Sequence, residues 1–337
     1  MRIRYFLPLL LLSALVSCRT EVEYNGEVTD PKFVVFAQTA LLPDTQLHCC
    51  IVQQSTFFLD DEQKWKPLGD ATVEWRVNNG NHHSFAFNSD SDAYLPTAAL
   101  PQVTAGDRVT MHVSHPRYGV TSATQTVPAI QPVQVTGMTV HNDTLSEYYE
   151  QTEDSIIHVV QCRQRIELKL TLPPYPFHND DVVRIAAKAE YRPAPDSTYH
   201  RNAYLSSKEP LFRTLTTDGD WGIIDDITSL FDDEIRYDAF YFPVSFTERE
   251  QKAEMTVYTP SSRELPSSLL LTVHTMTHDT WLYYVSVRQQ SALTGSILGL
   301  GQEEQVQVYG NFEGDVIGVY TVTTAQTHAI ALFDQQP

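Results

Sequence analysis

The chain has 337 residues, of which 42% are hydrophobic and 19% are charged. This composition is typical of a folded globular protein, and the length suggests two domains, each with its own core. The 42 acidic and 23 basic residues give a formal net charge of -19. Such a charge repels nucleic-acid phosphates and anionic lipid, so it argues against both as electrostatic partners.

The first eighteen residues have the organisation of a lipoprotein signal. Arg2 and Arg4 precede an apolar run that is too short for a membrane span, and small Ser17 stands directly before Cys18. We predict a signal peptide over residues 1–17, acylation and cleavage at Cys18, and a lipidated tether over 18–30. The alternative is an ordinary secretory signal with a chance cysteine. Several acyl chains on Cys18 would anchor the chain stably to outer-membrane lipid.

The first half of the chain reads as a series of short strands. Residues 33–37 form a continuous apolar run, residues 71–77 alternate strictly, and 78–80 have turn chemistry. The same alternation recurs over 108–114. These patterns predict an Ig-like or transthyretin-like antiparallel β-sandwich over residues 31–128.

The second half is predicted to be a further mainly β domain with one short helix. Pro128 and Pro132 interrupt the strand pattern, so we place a linker over 129–136 and the C-terminal domain over 137–337. Alternating strand patterns follow. Helical spacing begins after Asp279, which we expect to be the N-cap, and Gly295 would end this helix.

Three further cysteines leave two interpretations open. Cys49 and Cys50 are neighbours and point to opposite faces of a strand, so at most one of them can reach Cys162. Either one disulfide forms in an oxidising compartment, or all three thiols remain reduced and buried. The absence of a C-x-x-C pair argues against a thiol redox site or a zinc knuckle.

We assign no catalytic residue, metal ligand or cofactor from the sequence. The acidic run over 218–226 lacks EF-hand spacing, and both it and 232–234 are interpreted as solvated loops. His112 and His115 would lie on opposite faces of one strand, and adjacent His82 and His83 would diverge if extended, so spacing does not predict a metal site among them. The motifs of serine hydrolases, zinc proteases and nucleotide-binding loops are absent. A dispersed pair of carboxylates would not be recognisable from sequence.

Several segments together resemble an uncharacterised family of Bacteroidota lipoproteins called domain of unknown function 4249. The resemblance rests on the lipobox and on residues 33–37, 69–75, 105–113, 231–246, 277–290 and 309–320. It implies an outer-membrane lipoprotein that works beside a TonB-dependent transporter. Acidic residues soon after the lipidated cysteine favour surface export in such bacteria, and Glu21 and Glu23 match this pattern in part. We therefore expect the protein to face the cell exterior.

Three functions follow as expectations. The leading one is a non-enzymatic binding or accessory module that captures a nutrient or docks on a transporter. The second is a structural or adhesive surface protein of fimbrial type, and the third is a hydrolase with dispersed carboxylates. The sequence does not specify the ligand, which would be a small molecule or a glycan.

Overall fold

The protein is mostly β, as predicted. The computed structural model describes residues 30–55, 65–151, 155–177, 179–194, 197–212, 237–294 and 308–332. The strands of the first half are β1 (Phe33–Leu42), β2 (Thr45–Gln54), β3 (Lys66–Pro67), β4 (Thr72–Val77), β5 (His82–Asn88), β6 (Ala93–Pro96), β7 (Arg108–His115) and β8 (Gly119–Thr126). The later strands are β9 (Gln134–Gln151), β10 (Ile156–Leu172), β11 (Val182–Ala194), β12 (Ser197–Ser206), β13 (Ala239–Pro243), β14 (Gln251–Tyr258), β15 (Ser268–Met276) and β16 (Val316–Ala331).

All of these strands are hydrogen-bonded into one mixed sheet. Its main order is β8-β7-β4-β5-β6-β2-β1-β16-β15-β11-β12-β14-β10-β9, with β13 paired to β11 and β3 paired to β2. Among the described strands, β1 and β16 form the parallel pair and the remaining pairs are antiparallel. The first and last strands of the chain therefore lie side by side at the middle of the sheet.

Two hydrophobic clusters form the main cores. The first contains residues of β1, β2 and β4 to β8, and it also takes Phe312, Tyr320 and Val322 from the end of the chain. The second contains residues of β10 to β15 together with Ala129, Val133 and Leu332. The predicted division into 31–128, 129–136 and 137–337 remains a prediction, although the first core includes residues from the predicted C-terminal domain.

The segment predicted as a linker is tightly held. Gln131 is fully buried, and its backbone N–H donates to Thr275 Oγ1 at 3.0 Å. Its side-chain amide donates to the carbonyl of Pro173 at 2.9 Å and accepts a 2.7 Å bond from Thr247 Oγ1. This segment is therefore fixed to the second half of the protein.

One glycine permits the close pairing of the two chain ends. Gly318 has φ of 142°, and a Cβ at this position would lie 1.8 Å from the carbonyl oxygen of Val35. Only glycine avoids that collision. Asn311 also holds β16 in place. Its side-chain N–H donates to the carbonyl of Tyr320 at 3.0 Å, and its side-chain oxygen accepts the backbone N–H of Tyr320 at 2.7 Å.

The helix, here named α1 (His278–Thr294), packs on the sheet through its apolar residues as expected. Trp281 packs on Val182 and Met276, and its ring lies 5.1 Å from that of Tyr241. The predicted N-cap was wrong. Thr277 precedes the helix, and its Oγ1 accepts the N–H of Thr280 at 3.3 Å, while Asp279 lies inside the first turn. The predicted end at Gly295 lies outside the described residues. In the described part of the chain, no helix combines the length and hydropathy needed to cross a bilayer.

Candidate functional site

A cleft of about 880 Å³ lies at the C-terminal end of β1. Its walls come from the β1–β2 turn, the segment after β6 and the junction near Ile130. The lining is largely aliphatic, and Asp44 is its single carboxylate among the described residues. The main lining side chains are Leu41, Leu42, Pro43, Leu47, His48, Pro96, Leu100, Val103, Pro128, Ile130 and Thr324. Such a lining suits an apolar or neutral ligand.

A buried polar chain begins at this cleft and runs into the first core. His48 Nδ1 lies 3.1 Å from Thr39 Oγ1, which lies 2.8 Å from the Tyr320 hydroxyl. The indole N–H of Trp75 donates to the same hydroxyl at 2.9 Å. One set of protons satisfies every member: Tyr320 donates to Thr39, Thr39 donates to Nδ1, and His48 Nε2–H faces Gln46 Oε1 at 3.4 Å.

Burial keeps the side chains of this hydrogen-bonded series uncharged. Burial lowers the pKa of His48 to about 4, so its imidazole carries no charge at neutral pH. Burial also raises the pKa of Tyr320 well above its ordinary value. Cys50 lies nearby in the same core, where burial and the neighbouring Cys49 raise its thiol pKa. The site therefore offers hydrogen bonds from neutral groups and no thiolate nucleophile.

A second polar cluster joins α1 to the end of the chain. Asp279 accepts bonds of 2.6 Å from the Tyr309 hydroxyl and 2.6 Å from the Gln125 amide, with Asn311 Nδ2 at 3.4 Å. Burial acts to raise the pKa of Asp279, but these three donors outweigh it and lower the pKa. Burial and the bond to the carboxylate raise the pKa of Tyr309 to about 12. The carboxylate is fully engaged in holding β8, α1 and the segment before β16 together.

Several exposed apolar side chains are grouped on the β9–β10 hairpin. We call residues 146–151 and 156–161 the ribbon, because β10 pairs with β14 only from Arg165 onward. Tyr149 is 74% exposed and Ile156 is 70% exposed, and Leu145, Tyr148 and Ile157 are exposed as well. Tyr149 and Ile156 lie on one face of the ribbon, and Tyr148 and Ile157 lie on the other. Apolar exposure of this kind marks an interaction surface. Sequence alternation did not reveal it, because apolar residues on both faces of a strand normally indicate burial.

The four histidines named from the sequence separate into three places, of which His83 occupies one, with its ring 6.0 Å from that of Trp75. His82 and His112 lie side by side, with ring centroids 5.2 Å apart, and His82 Nδ1 lies 3.0 Å from Glu74. His115 instead faces Asp70 at 3.0 Å. Within the described ranges, no group of three His, Cys, Asp or Glu side chains is arranged to hold a metal ion.

The three internal cysteines are unpaired in the structure. Cys50 is buried, whereas Cys49 and Cys162 are half-buried. The acidic runs at 218–226 and 232–234 lie outside the described residues, as do the signal peptide and the lipid-attachment residue Cys18. Acylation of Cys18 therefore remains a prediction.

The described residues form a mostly β protein whose strands β1 and β16 are paired in parallel, with β16 held by Asn311 and fitted to β1 through Gly318. The chain belongs to the family described as "Domain of unknown function (DUF4249)", whose model matches residues 19–329. This agrees with the resemblance seen in the sequence. No curated protein matches the chain.

Proposed function

We propose that the protein is a lipid-anchored outer-membrane accessory module that binds another protein without catalysing a reaction, with a TonB-dependent transporter as the candidate partner. The observation that carries this proposal is the exposed apolar surface of the ribbon. Tyr149 and Ile156 are about three-quarters exposed on a hairpin that projects beyond its neighbouring strand. Burial of these apolar side chains against a partner would stabilise the complex, because it would remove them from water.

Anchoring follows from the sequence. An acylated Cys18 would hold the chain at the outer membrane, and the described fold begins at Asp30, directly before β1. Eleven residues, 19–29, separate the two. A tether of this length allows the folded part to reach a membrane protein in the same bilayer.

Affinity capture from outer membranes tests the binding function. The tagged full-length chain, extracted in mild detergent, is expected to recover a transporter. The double substitution Tyr149→Ser and Ile156→Ser should abolish recovery, because it removes the apolar contact surface. Val120→Ser is the matched control, since Val120 is 79% exposed on β8 at the opposite end of the sheet.

Two results would contradict the proposal. If the wild-type protein is obtained in good yield but captures no membrane protein, the protein is not an accessory module of this kind. If the ribbon variant recovers as much transporter as the wild type and the Val120→Ser control, the ribbon is not the contact surface.

The anchor and its orientation have tests of their own. Cys18→Ala should release the protein from the membrane fraction, and mass spectrometry of the wild type should find an acylated N-terminal cysteine. Protease treatment of intact cells should remove the protein if it faces the exterior. Unchanged membrane association of Cys18→Ala would contradict the anchoring proposal.

An adhesive surface role is the second candidate, and it is favoured by the outer edge of β9, which pairs with no strand in the described part of the chain. Assembly through that edge would produce ladders of polymers. A monodisperse monomer in size-exclusion chromatography, obtained at high protein concentration, would contradict this role.

A further inference from the structure

The two ends of the long sheet differ in how their edges are covered. At the β8 end, the backbone N–H of Glu313 donates to the carbonyl of Ser122 at 3.0 Å, and Thr121 Oγ1 donates to the Glu313 carbonyl at 2.7 Å. The segment before β16 therefore covers that edge. At the other end, within the described ranges, β9 has no backbone hydrogen bond to any strand other than β10.

The β9 edge lacks two of the usual protections against pairing, although a bulge interrupts it. It is 18 residues long, and it contains neither proline nor lysine, which natural proteins place on exposed edges to prevent added strands. A register shift opposite Gln161 and Cys162 makes Leu145 an extra residue. Beyond this bulge, residues 146–151 run in unbroken register with 156–161, so they offer a straight edge six residues long.

The charges along β9 indicate which kind of added strand could pair with its edge. The strand carries three carboxylates, Asp143, Glu147 and Glu150, and no arginine or lysine. Glu150 is already paired with Arg263 at 2.6 Å. Glu147 is 58% exposed in its side chain and faces His158 Nε2 at 3.4 Å.

Glu147 and Tyr149 lie on the same face of β9, because they are two residues apart. The Tyr149 ring packs with that of His158 at 5.0 Å between centroids, and its other side is open to solvent. A cationic side chain on a neighbouring strand would meet the Glu147 carboxylate and the face of the Tyr149 ring together.

We propose that the free edge of β9 binds an extended segment of a partner protein as an added strand, with Lys or Arg at alternate positions on the face of Glu147 and Tyr149. This inference rests on the proposed binding function and specifies the chemistry of the partner. A second β9 strand fits the edge poorly. Two paired β9 strands would bring three carboxylates each, and no lysine or arginine, into adjacent strands.

Peptide binding to the purified full-length chain in detergent tests the proposal. The probe is a labelled ten-residue peptide of alternating Lys and Val, and its binding is followed by fluorescence anisotropy. A Glu-Val peptide of the same length should bind on the order of tenfold more weakly or worse, because like charges oppose each other across the edge. Hydrogen exchange should show new protection in β9 and none in β8.

N-methylated probes separate strand pairing from simple charge attraction. A Lys-Val peptide that is N-methylated at every second residue keeps one hydrogen-bonding edge and should still bind. The same peptide methylated at every residue keeps its charges but has no backbone donors, so it should not bind.

A charge reversal on the protein gives the matched test. Glu147→Lys should reverse the preference, so that the Glu-Val peptide binds more tightly than the Lys-Val peptide. Glu254→Lys is the control, because Glu254 is an exposed carboxylate on β14, an interior strand of the sheet. This substitution should leave the preference unchanged.

Several outcomes would overturn the inference. Equal binding of the fully methylated peptide would mean charge attraction alone, and protection at β8 would place the site at the other edge. Failure of the Lys-Val peptide to bind would exclude this strand chemistry. A stable dimer without peptide, with β9 protected, would show that a second copy occupies the edge.

The two proposals can fail separately. If the peptide does not bind but the transporter is still captured and lost with the ribbon variant, strand addition is wrong and the accessory function stands. If the Lys-Val peptide binds β9 but no membrane protein is captured, the edge chemistry stands and the proposed partner is wrong.

Discussion

Replacing Tyr320 with phenylalanine tests the buried polar chain of the first core. The substitution keeps the ring and removes only the hydroxyl of a fully buried side chain. The indole N–H of Trp75, also fully buried, then loses its acceptor, which costs about 1–3 kcal/mol. The bond to Thr39 is lost as well and contributes about 0.5–1.5 kcal/mol. We expect the free energy of unfolding to fall by about 2–4 kcal/mol.

Urea unfolding at pH 7.5, followed by tryptophan fluorescence and circular dichroism, measures this change. The midpoint should fall while the slope with denaturant concentration stays the same, because the exposed surface is unchanged. Tyr199→Phe is the matched control. Tyr199 is partly exposed, and its hydroxyl reaches only Glu264 at 3.5 Å, so the loss should stay below about 0.5 kcal/mol.

A double-mutant cycle with Thr39→Val tests whether the chain acts as a unit. Because Thr39 and Tyr320 share a bond, the double variant should lose at least about 0.5 kcal/mol less than the sum of the single losses. Two results would refute this reasoning: a loss for Tyr320→Phe no larger than that of the Tyr199→Phe control, or strictly additive effects in the cycle.

Two further predictions concern pH and the paired chain ends. Burial lowers the pKa of His48 and of His274 to about 4, below the unfolded value of 6.5, so the unfolded state binds more protons between these values. The free energy of unfolding should therefore be highest above pH 6.5 and fall by up to about 3 kcal/mol per histidine as the pH drops to about 4. Urea titrations at a series of pH values measure this dependence. A free energy of unfolding that does not change with pH would contradict the prediction. Gly318→Ala should prevent cooperative folding, because its Cβ would collide with the carbonyl of Val35. Gly314→Ala, which has positive φ but open space, should cost only about 1–2 kcal/mol, and equal losses for the two variants in thermal unfolding would contradict the argument.

Local patterns predicted individual strands well. The alternation over 71–77 corresponds to β4 (Thr72–Val77), where Val73 and Trp75 are buried in the first core. The turn chemistry that follows was also correct in its physical reason, since Asn78 has a positive φ of 50°. These features depend on neighbours a few residues apart, so they are readable from the chain alone.

The helix shows the limit of local prediction. Its existence followed from the helical spacing of residues after Asp279. The position of its first residue did not follow from the sequence, because both Thr277 and Asp279 are good N-cap residues in isolation. Asp279 is instead drawn to Tyr309 and Gln125, which are distant in sequence and known to be close only in the folded structure.

The sequence alone determined that this is a strand-rich, acidic protein with an extended family resemblance, and it predicts a lipoprotein leader, because composition, alternation and short motifs are local properties. Tertiary structure decided the parallel pairing of β1 with β16, the buried chain from His48 to Trp75 and the bare edge of β9. Each of these depends on contacts between distant segments or on which strand ends the sheet. Such choices are set by the packing of the whole chain, and no single segment encodes them.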